Sequence, residues 1–210
     1  MLYPKIESPF RRHIDGPDKN RLDVGAWSRP EFALLHDKPW EWTEKVNGTN
    51  VRVIWDGYKV RFGGRTDNAS MPLKLVDMLT EQFPEELLEQ KFGSSEVTLF
   101  GEGYGPGVAS GSGIYNPSEV KFVLFDVWIG GWWLLRDAVM DVANSLATEI
   151  VPLVGMLDVD QAIRLVSEGH TSEWGNFVAE GLVGKAPLGL LSRGKDRLMM
   201  KVKTKDFRHG

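Results

Sequence analysis

Hydrophobic and polar positions along the chain form short alternating runs that predict strands, and these runs are separated by stretches with helical spacing. Residues 51–55 and 59–62 are two alternating runs, and the Asp56-Gly57 pair between them is typical of a hairpin turn. Residues 70–92 carry apolar side chains near helical spacing. Pro84 is expected to break or kink that helix. This half of the chain therefore predicts a hairpin followed by an interrupted helix.

The rest of the chain continues the same mixture. Two further helices are predicted, and each has an aspartate at its start that suits an N-cap. The helices cover 137–150 and 158–168, and strands are predicted over 97–100, 121–129, 132–135, 177–184 and 197–203. Hairpins and helices follow one another without a β–α–β rhythm, which favours an α+β fold with mainly antiparallel sheets. No repeat or linker interrupts the pattern, so residues 1–210 are predicted to form a single domain.

The composition excludes several classes of protein. Apolar residues make up 42% and charged residues 26% of the chain, which excludes wholesale disorder. There is no cysteine, so disulfides, thiolate metal sites and a cysteine nucleophile are excluded. The longest apolar stretch, 122–135, is interrupted by Asp126 and by a Gly-Gly pair and is too short to span a bilayer. The first residues lack the apolar core of a secretory signal. We therefore expect a cytoplasmic protein with no membrane partner.

Charge is distributed unevenly along the chain. The net charge is −4, yet residues 193–210 carry a net charge of +5 and the remainder a net charge of −9. The basic residues of this C-terminal strip are Arg193, Lys195, Arg197, Lys201, Lys203, Lys205 and Arg208. A basic strip on an acidic body suits one local site for a polyanion, and a solvated charged tail is the alternative interpretation.

One segment carries candidate chemistry. Residues 44–50, Glu-Lys-Val-Asn-Gly-Thr-Asn, come directly before the first predicted strand. A lysine at this boundary, with a glycine that allows close approach of the backbone to a ligand, is a candidate nucleophile. A surface lysine before a turn is the alternative. Near the C-terminus, Lys201 and Lys203 lie two residues apart, so both side chains are expected on one face of a strand.

Lys45, Lys201 and Lys203 belong to a series of short motifs that follow one another along the chain. The motifs are Glu44-Lys45 with Asn47-Gly48, Arg65 in Arg-Phe-Gly-Gly-Arg, Glu102 in Phe-Gly-Glu, Phe125-Asp126, Glu180, and Lys201 with Lys203. This series resembles the covalent nucleotidyltransferase superfamily of DNA ligases, RNA ligases and mRNA capping enzymes. It is most similar to the RNA ligase 2-like branch, and the Tyr3-Pro4-Lys5 start of the chain is also similar to that branch. The resemblance extends from Glu44 to Lys203.

The resemblance implies a fold and an activity. The expected fold is an α+β, ATP-grasp-like nucleotidyltransferase domain, with mainly antiparallel sheets flanked by helices. The expected activity is that of an ATP-dependent RNA ligase with Mg²⁺, or Mn²⁺, as the metal. Lys45 would form a lysyl–AMP intermediate, AMP would pass to a 5′-phosphate, and a 3′-hydroxyl would then displace AMP. Nearby cations favour the uncharged form of a lysine, and Lys201 and Lys203 would supply that field.

The resemblance also implies roles for individual side chains. Nucleotide-binding roles fall on Glu44, Asn47, Gly48, Arg65, Glu102, Phe125, Lys185, Lys201 and Lys203, and metal binding falls on Glu180 together with Glu102. A guanidinium such as that of Arg65 can contact phosphate through two donors. The ring of Phe125 would stack on adenine, with Phe122 as the competing candidate. Asp126 lies in an apolar strand, so its carboxylate is expected to have a partner.

Two departures from the family pattern leave alternatives open. Related ligases carry aspartate or histidine two residues after the lysine, whereas this chain carries Asn47, which cannot titrate. The chain leaves no room after Lys203 for an OB-fold or a helical C-terminal domain, so a protein partner is expected as one way to complete the enzyme. Within the superfamily, a DNA ligase acting on DNA or a capping-type guanylyltransferase is the alternative function. A non-catalytic nucleotide or nucleic-acid binding module is the alternative from another class.

Overall fold

A computed structural model describes residues 1–207 of the chain. This part of the chain contains twelve strands and six α-helices. The strands are β1 (Phe10–Arg12), β2 (Leu22–Trp27), β3 (Trp40–Glu44), β4 (Thr49–Trp55), β5 (Val60–Gly63), β6 (Val97–Tyr104), β7 (Lys121–Ile129), β8 (Trp132–Trp133), β9 (Glu149–Ile150), β10 (Leu153–Leu157), β11 (Gly181–Lys185) and β12 (Met199–Lys203). The helices are α1 (Pro30–Leu35), α2 (Leu73–Gln82), α3 (Glu85–Phe92), α4 (Arg136–Ser145), α5 (Val159–Glu168) and α6 (Thr204–Phe207).

The chain divides into two compact units, each built from separate stretches of sequence. The first, which we call the large-sheet unit, comprises Met1–Tyr3 and Val46–Val151. The second, the small-sheet unit, comprises Pro4–Lys45 and the described residues from Pro152 onward. Because the two stretches of each unit interleave along the chain, the units do not correspond to two successive domains in the sequence. The single domain over residues 1–210 therefore stays a prediction.

The large-sheet unit is organised around one sheet with helices on one face. The strand order is β5-β4-β6-β7-β8, and the short β9 pairs with β7 in parallel, while the other pairs are antiparallel. Alternate residues of β4, such as Val51 and Val53, pack against Leu75 and Leu79 of α2 in a buried core. The opposite face of the same strand carries Asn50 and Arg52, because successive side chains of a strand point to opposite faces.

The small-sheet unit contains a four-stranded antiparallel sheet in the order β10-β3-β11-β12, with a separate hairpin of β1 and β2. Trp40 and Trp42 of β3 are fully buried with Val159 and Val166 of α5 in its core. The indole N–H of Trp42 donates to the carbonyl of Leu157 at 2.9 Å, which satisfies the one polar group of that ring. β3 lies between β10 and β11 in this sheet, and these pairings fix its position as far as Glu44.

The predicted α+β class with mainly antiparallel sheets is confirmed. The hairpin across Asp56-Gly57 and the interruption at Pro84 are also present. The predicted helix over 137–150 was too long, since α4 ends at Ser145 and the last two residues of that range form β9. Asp137 does not cap this helix, whose N-cap is Leu135, whereas Asp158 caps α5 as predicted. Among the described residues, no helix is long and apolar enough to cross a bilayer.

Candidate active site

Lys45 extends the register of the small sheet by one residue beyond β3. Its backbone N–H donates to the carbonyl of Gly181 at 2.9 Å, and Gly181 in turn pairs with Lys203 of β12. A Cβ on Gly181 would collide with the carbonyl oxygen of Val202, so only glycine fits between these strands. The two lysines therefore flank a residue without a side chain, which leaves room for both amines on the same face of the sheet.

Both amines bind one carboxylate. The Nζ of Lys45 donates to Oε2 of Glu180 at 2.6 Å, and the Nζ of Lys203 donates to Oε1 at 2.8 Å. Each of the three side chains is 22% exposed. Burial by itself would raise the pKa of Glu180, but the ammonium groups of Lys45 and Lys203 hold the pKa below its usual value. We call these three residues the lysine–glutamate cluster, and it carries a net charge of one positive unit.

Two further predicted residues lie on the sheet face of this cluster. Lys201 pairs with Val183, and Lys185 pairs with Met199, so strand alternation places both lysines on the side of Lys203. Both are partly buried. The period-two prediction for Lys201 and Lys203 is therefore confirmed, and Lys203 pairs with Glu180.

Glu44 points to the other side of the sheet. Its side chain is 1% exposed, and its carboxylate accepts hydrogen bonds from the hydroxyl of Ser172 at 2.6 Å and from the backbone N–H of Glu173 at 2.9 Å. Burial raises the pKa of Glu44, and these two hydrogen bonds and the nearby His170 oppose that rise. The structure thus uses Glu44 to anchor the segment after α5, because alternation along the strand turns it away from the face of Lys45.

Asn47 and Gly48 lie near the start of the longer stretch of the large-sheet unit, which begins at Val46. The side-chain amide of Asn47 donates to the carbonyl of Ser110 at 3.0 Å, and its backbone N–H donates to the hydroxyl of Tyr115 at 3.1 Å. A Cβ on Gly48 would collide with the carbonyl oxygen of Gly103 in β6. The glycine was predicted to allow close approach to a ligand, whereas in the structure it allows close approach to a neighbouring strand of the protein itself.

Glu102 and Phe125 lie in the sheet of the large-sheet unit. Glu102 is partly buried and pairs with Asn50 across β6 and β4. Phe125 is partly buried, whereas Phe122 is 3% exposed and packs in the core against Phe83. Of the two aromatic candidates for base stacking, Phe125 is thus the one with accessible surface.

The structure adds Tyr3 to the surroundings of Phe125. The two rings are 5.0 Å apart in an edge-to-face arrangement, and the hydroxyl of Tyr3 donates to Oδ2 of the fully buried Asp126 at 2.8 Å. The expected partner of Asp126 is therefore Tyr3. The family-like Tyr3-Pro4-Lys5 start had drawn attention to Tyr3, but nothing in the local sequence pattern indicated which residue Tyr3 would contact.

Arg65 and the C-terminal basic strip are mostly at the surface. Arg65 is exposed on the turn that follows β5. In the strip, Arg193, Lys195 and Lys205 are exposed and Arg197 is partly buried, while Arg208 lies outside the described residues. Within residues 1–207, no group of three or more histidine, aspartate or glutamate side chains is arranged to hold a metal ion.

The structure therefore places Lys45, at the end of a strand, on a carboxylate that it shares with Lys203. A family model described as RNA ligase matches residues 38–203, so the chain belongs to the RNA ligase family. The predicted membership of an RNA ligase-like nucleotidyltransferase family is thereby confirmed. No curated protein sequence matches the chain.

Solved structures of RNA ligase from Naegleria gruberi share the fold. A variant with AMP and Mn has a TM-score of 0.65 at 17% identity, covering 84% of this chain and 52% of that protein. An apo variant has a TM-score of 0.66 at 17% identity, and the ligase with PPi has a TM-score of 0.65 at 18% identity. Each of these two matches covers 97% of this chain and 62% of the other. The chain therefore spans roughly half to two thirds of the length of these ligases.

Proposed function

We propose that this chain is the adenylyl-transferring part of an ATP-dependent RNA ligase and that Lys45 is its nucleophile. The observation that carries the proposal is the lysine–glutamate cluster. In this cluster the Lys45 amine lies 2.6 Å from Oε2 of Glu180, and Lys203 donates to the other oxygen of the same carboxylate. Membership of the RNA ligase family supports the reaction class. Related ligases bound to AMP and Mn, or to PPi, support the nucleotide chemistry.

In the proposed first step, the Nζ of Lys45 attacks the α-phosphorus of ATP. A bond forms between nitrogen and phosphorus, and the bond from that phosphorus to pyrophosphate breaks. The ammonium of Lys45 must first lose a proton to solvent water and leave Glu180, since only the free amine has a lone pair. Lys203 stays on Oε1 and compensates the charge of Glu180 while Lys45 reacts. Lys185 and Lys201, on the same sheet face, would neutralise charge on the phosphates.

The donor atoms of Glu180 fit a divalent cation. Mg²⁺ and Mn²⁺ prefer carboxylate oxygens, and Mg²⁺ usually takes one or two carboxylates together with substrate phosphates and water. Glu180 supplies two carboxylate oxygens and, after Lys45 reacts, one of them no longer has its lysine partner. Glu102 is the second predicted ligand and remains a proposal. Bound at the oxygen that Lys45 leaves, the ion would neutralise negative charge on the phosphate.

The later steps and the substrate follow from the family. AMP would pass from Lys45 to a 5′-phosphate of RNA, and a 3′-hydroxyl would displace it to seal the strand. We assign phosphate contacts to Arg65, the adenine-stacking face to Phe125, and contacts with the nucleotide to Asn47 and Glu102. A cytoplasmic location and a protein partner that completes the enzyme belong to the same proposal.

A labelling experiment tests the nucleophile. The protein is incubated with Mg²⁺ and α-labelled ATP, in parallel with α-labelled GTP, and label that survives denaturing electrophoresis is counted. Lys45→Arg keeps a positive charge opposite Glu180 but removes the nucleophile, so it should abolish the label. Lys5→Arg, at an exposed position, makes the same chemical change as a control and should label fully.

Each outcome identifies a different function. ATP label that disappears in Lys45→Arg supports the proposal, and 5′-phosphorylated RNA or DNA added in parallel then shows which polymer accepts the AMP. GTP label supports a capping-type guanylyltransferase instead. Absence of label with either nucleotide, on protein with a cooperative melting transition, contradicts adenylylation by this chain alone and leaves a binding module, an enzyme that needs its partner, or a fragment.

A further inference from the structure

Arg52 is a buried charge that no step above uses. It lies in β4, on the sheet face opposite the core of the large-sheet unit, and its side chain is 2% exposed. Removing a guanidinium from water is costly unless its donors are satisfied. The position of each of its partners therefore shows what this residue holds in place.

All three nitrogens of the guanidinium donate hydrogen bonds. Nε donates to the carbonyl of Gly64 at 2.7 Å, Nη2 donates to Oδ1 of Asp67 at 2.8 Å, and Nη1 donates to the carbonyl of Met1 at 3.0 Å. Gly64 and Asp67 are the residues that bracket Arg65 in the sequence. One rigid, planar group therefore fixes both sides of the turn that presents Arg65.

The backbone around the turn is built for this contact. Gly63 pairs with Arg52 across β4 and β5, and a Cβ at Gly63 would lie 2.8 Å from Nη2. The guanidinium consequently packs directly against the glycine backbone. At the far side of the turn, the N–H of Ala69 donates to the carbonyl of Thr66 at 3.1 Å and closes the turn. Arg65 itself remains exposed.

We propose that Arg52 is a positioning residue that fixes the 64–67 turn so that Arg65 is presented to a phosphate group. This inference rests on the proposed function, since it assigns Arg65 to phosphate binding. A fixed turn matters because a flexible arginine loses side-chain and backbone freedom on binding, which weakens the contact. The planar fork of arginine makes three directed contacts here, and a lysine cannot reproduce them.

The first test does not depend on activity. Trypsin cleaves after Arg65 only when the turn opens, because a protease needs a locally unfolded segment. Arg52→Lys and Asp67→Ala should each speed cleavage between residues 65 and 66 by about tenfold, since each removes hydrogen bonds to a charged group that hold the turn. Asp18→Ala removes the carboxylate of the exposed pair with Arg21 and serves as the matched control, with an unchanged rate. Unchanged cleavage in Arg52→Lys and Asp67→Ala would overturn the proposal.

The second test connects the turn to catalysis. The KM for ATP and the rate of label formation are measured for Arg65→Ala, Asp67→Ala and the double variant. If the turn acts through Arg65, Asp67→Ala should change the same constant as Arg65→Ala, and the double variant should be no worse than Arg65→Ala alone. Additive losses would mean that Asp67 acts independently of Arg65 and would overturn the proposal. A wild-type protein that forms no lysyl–AMP contradicts the proposed function, and the trypsin test then decides the role of Arg52 in the turn by itself.

Discussion

Replacing Glu180 with glutamine removes the negative charge that Lys45 and Lys203 share while keeping the shape of the side chain. The glutamine still offers one oxygen, so one hydrogen bond survives and the attraction to two ammonium groups is lost. An exposed ion pair contributes about 0–1 kcal/mol to stability, and breaking a buried pair costs about 3–5 kcal/mol. At 22% exposure the cluster falls between these cases. We expect Glu180→Gln to lower the free energy of unfolding by about 2 kcal/mol at neutral pH.

The stability lost in Glu180→Gln should depend on pH in a defined direction. The pKa of Glu180 is lowered in the folded protein from an ordinary value of 4.5. A carboxyl group with a lowered folded pKa stabilises the protein above its unfolded pKa, and this stabilisation is lost as the pH falls through the folded pKa. The difference between wild type and Glu180→Gln should therefore be full at pH 7. It should shrink as the pH falls below about 4.5.

Thermal unfolding measures this difference directly. A change of about 2 kcal/mol lowers the Tm of a protein of this size by roughly 4–8 °C at pH 7. Glu119→Gln makes the same chemical change at an exposed carboxylate, which lies 3.9 Å from Lys121, and should leave the Tm unchanged. A Tm difference for Glu180→Gln that stays constant from neutral to acidic pH would show that the charge of Glu180 is not the source of the stabilisation, and would refute the reasoning.

Three further outcomes are expected. Burial raises the pKa of Glu44, so its contribution to stability is present below the unfolded pKa and lost as the pH rises through the folded pKa. The Tm of Glu44→Gln should therefore rise relative to that of wild type as the pH is raised above the ordinary value of 4.5. Gly48→Ala should cost about 1–3 kcal/mol in urea unfolding, because the new Cβ collides with Gly103, whereas Gly113→Ala, whose Cβ has its nearest neighbour at 3.9 Å, should be neutral. Asp158→Ala removes the cap of α5 and should cost about 1 kcal/mol, measured as a fall in Tm.

The sequence predicted the elements whose signals are local. Alternation and the Asp56-Gly57 turn predicted the β4–β5 hairpin, and Asp158 followed three residues later by Gln161 is a capping box that the structure contains. The strand ending at Glu44 was not predicted, because Trp40 and Trp42 alternate with polar residues for only five positions and its neighbours, β10 and β11, come more than a hundred residues later. Pairing over such a distance leaves no pattern near the strand itself.

In the candidate site, too, the sequence indicated residues that carry local motifs and missed contacts that depend on distant parts of the chain. The order and spacing of motifs pointed to Lys45, Glu180 and Lys203, and the structure places these three side chains in contact. The direction of Glu44 depends on which side of β3 faces α5, and the contact of Tyr3 with Asp126 depends on a fold that brings residues 123 positions apart together. The sequence around Arg52 carries no sign of its burial, because Arg52 packs against Gly63 and Gly64, which lie on a different strand and turn.

The sharing of Glu180 by two lysines also imposes an order on events. Before reaction, Oε2 is occupied by Lys45 and Oε1 by Lys203. Lys45 must leave Oε2 as a free amine before it reacts, and once it carries AMP its nitrogen no longer has the positive charge that pairs with Glu180. Glu180 would then pair with two cations in the resting protein and with one in the adenylylated protein. The net charge of the cluster would in this way differ between the free protein and the protein that carries AMP on Lys45, without any movement of the strands.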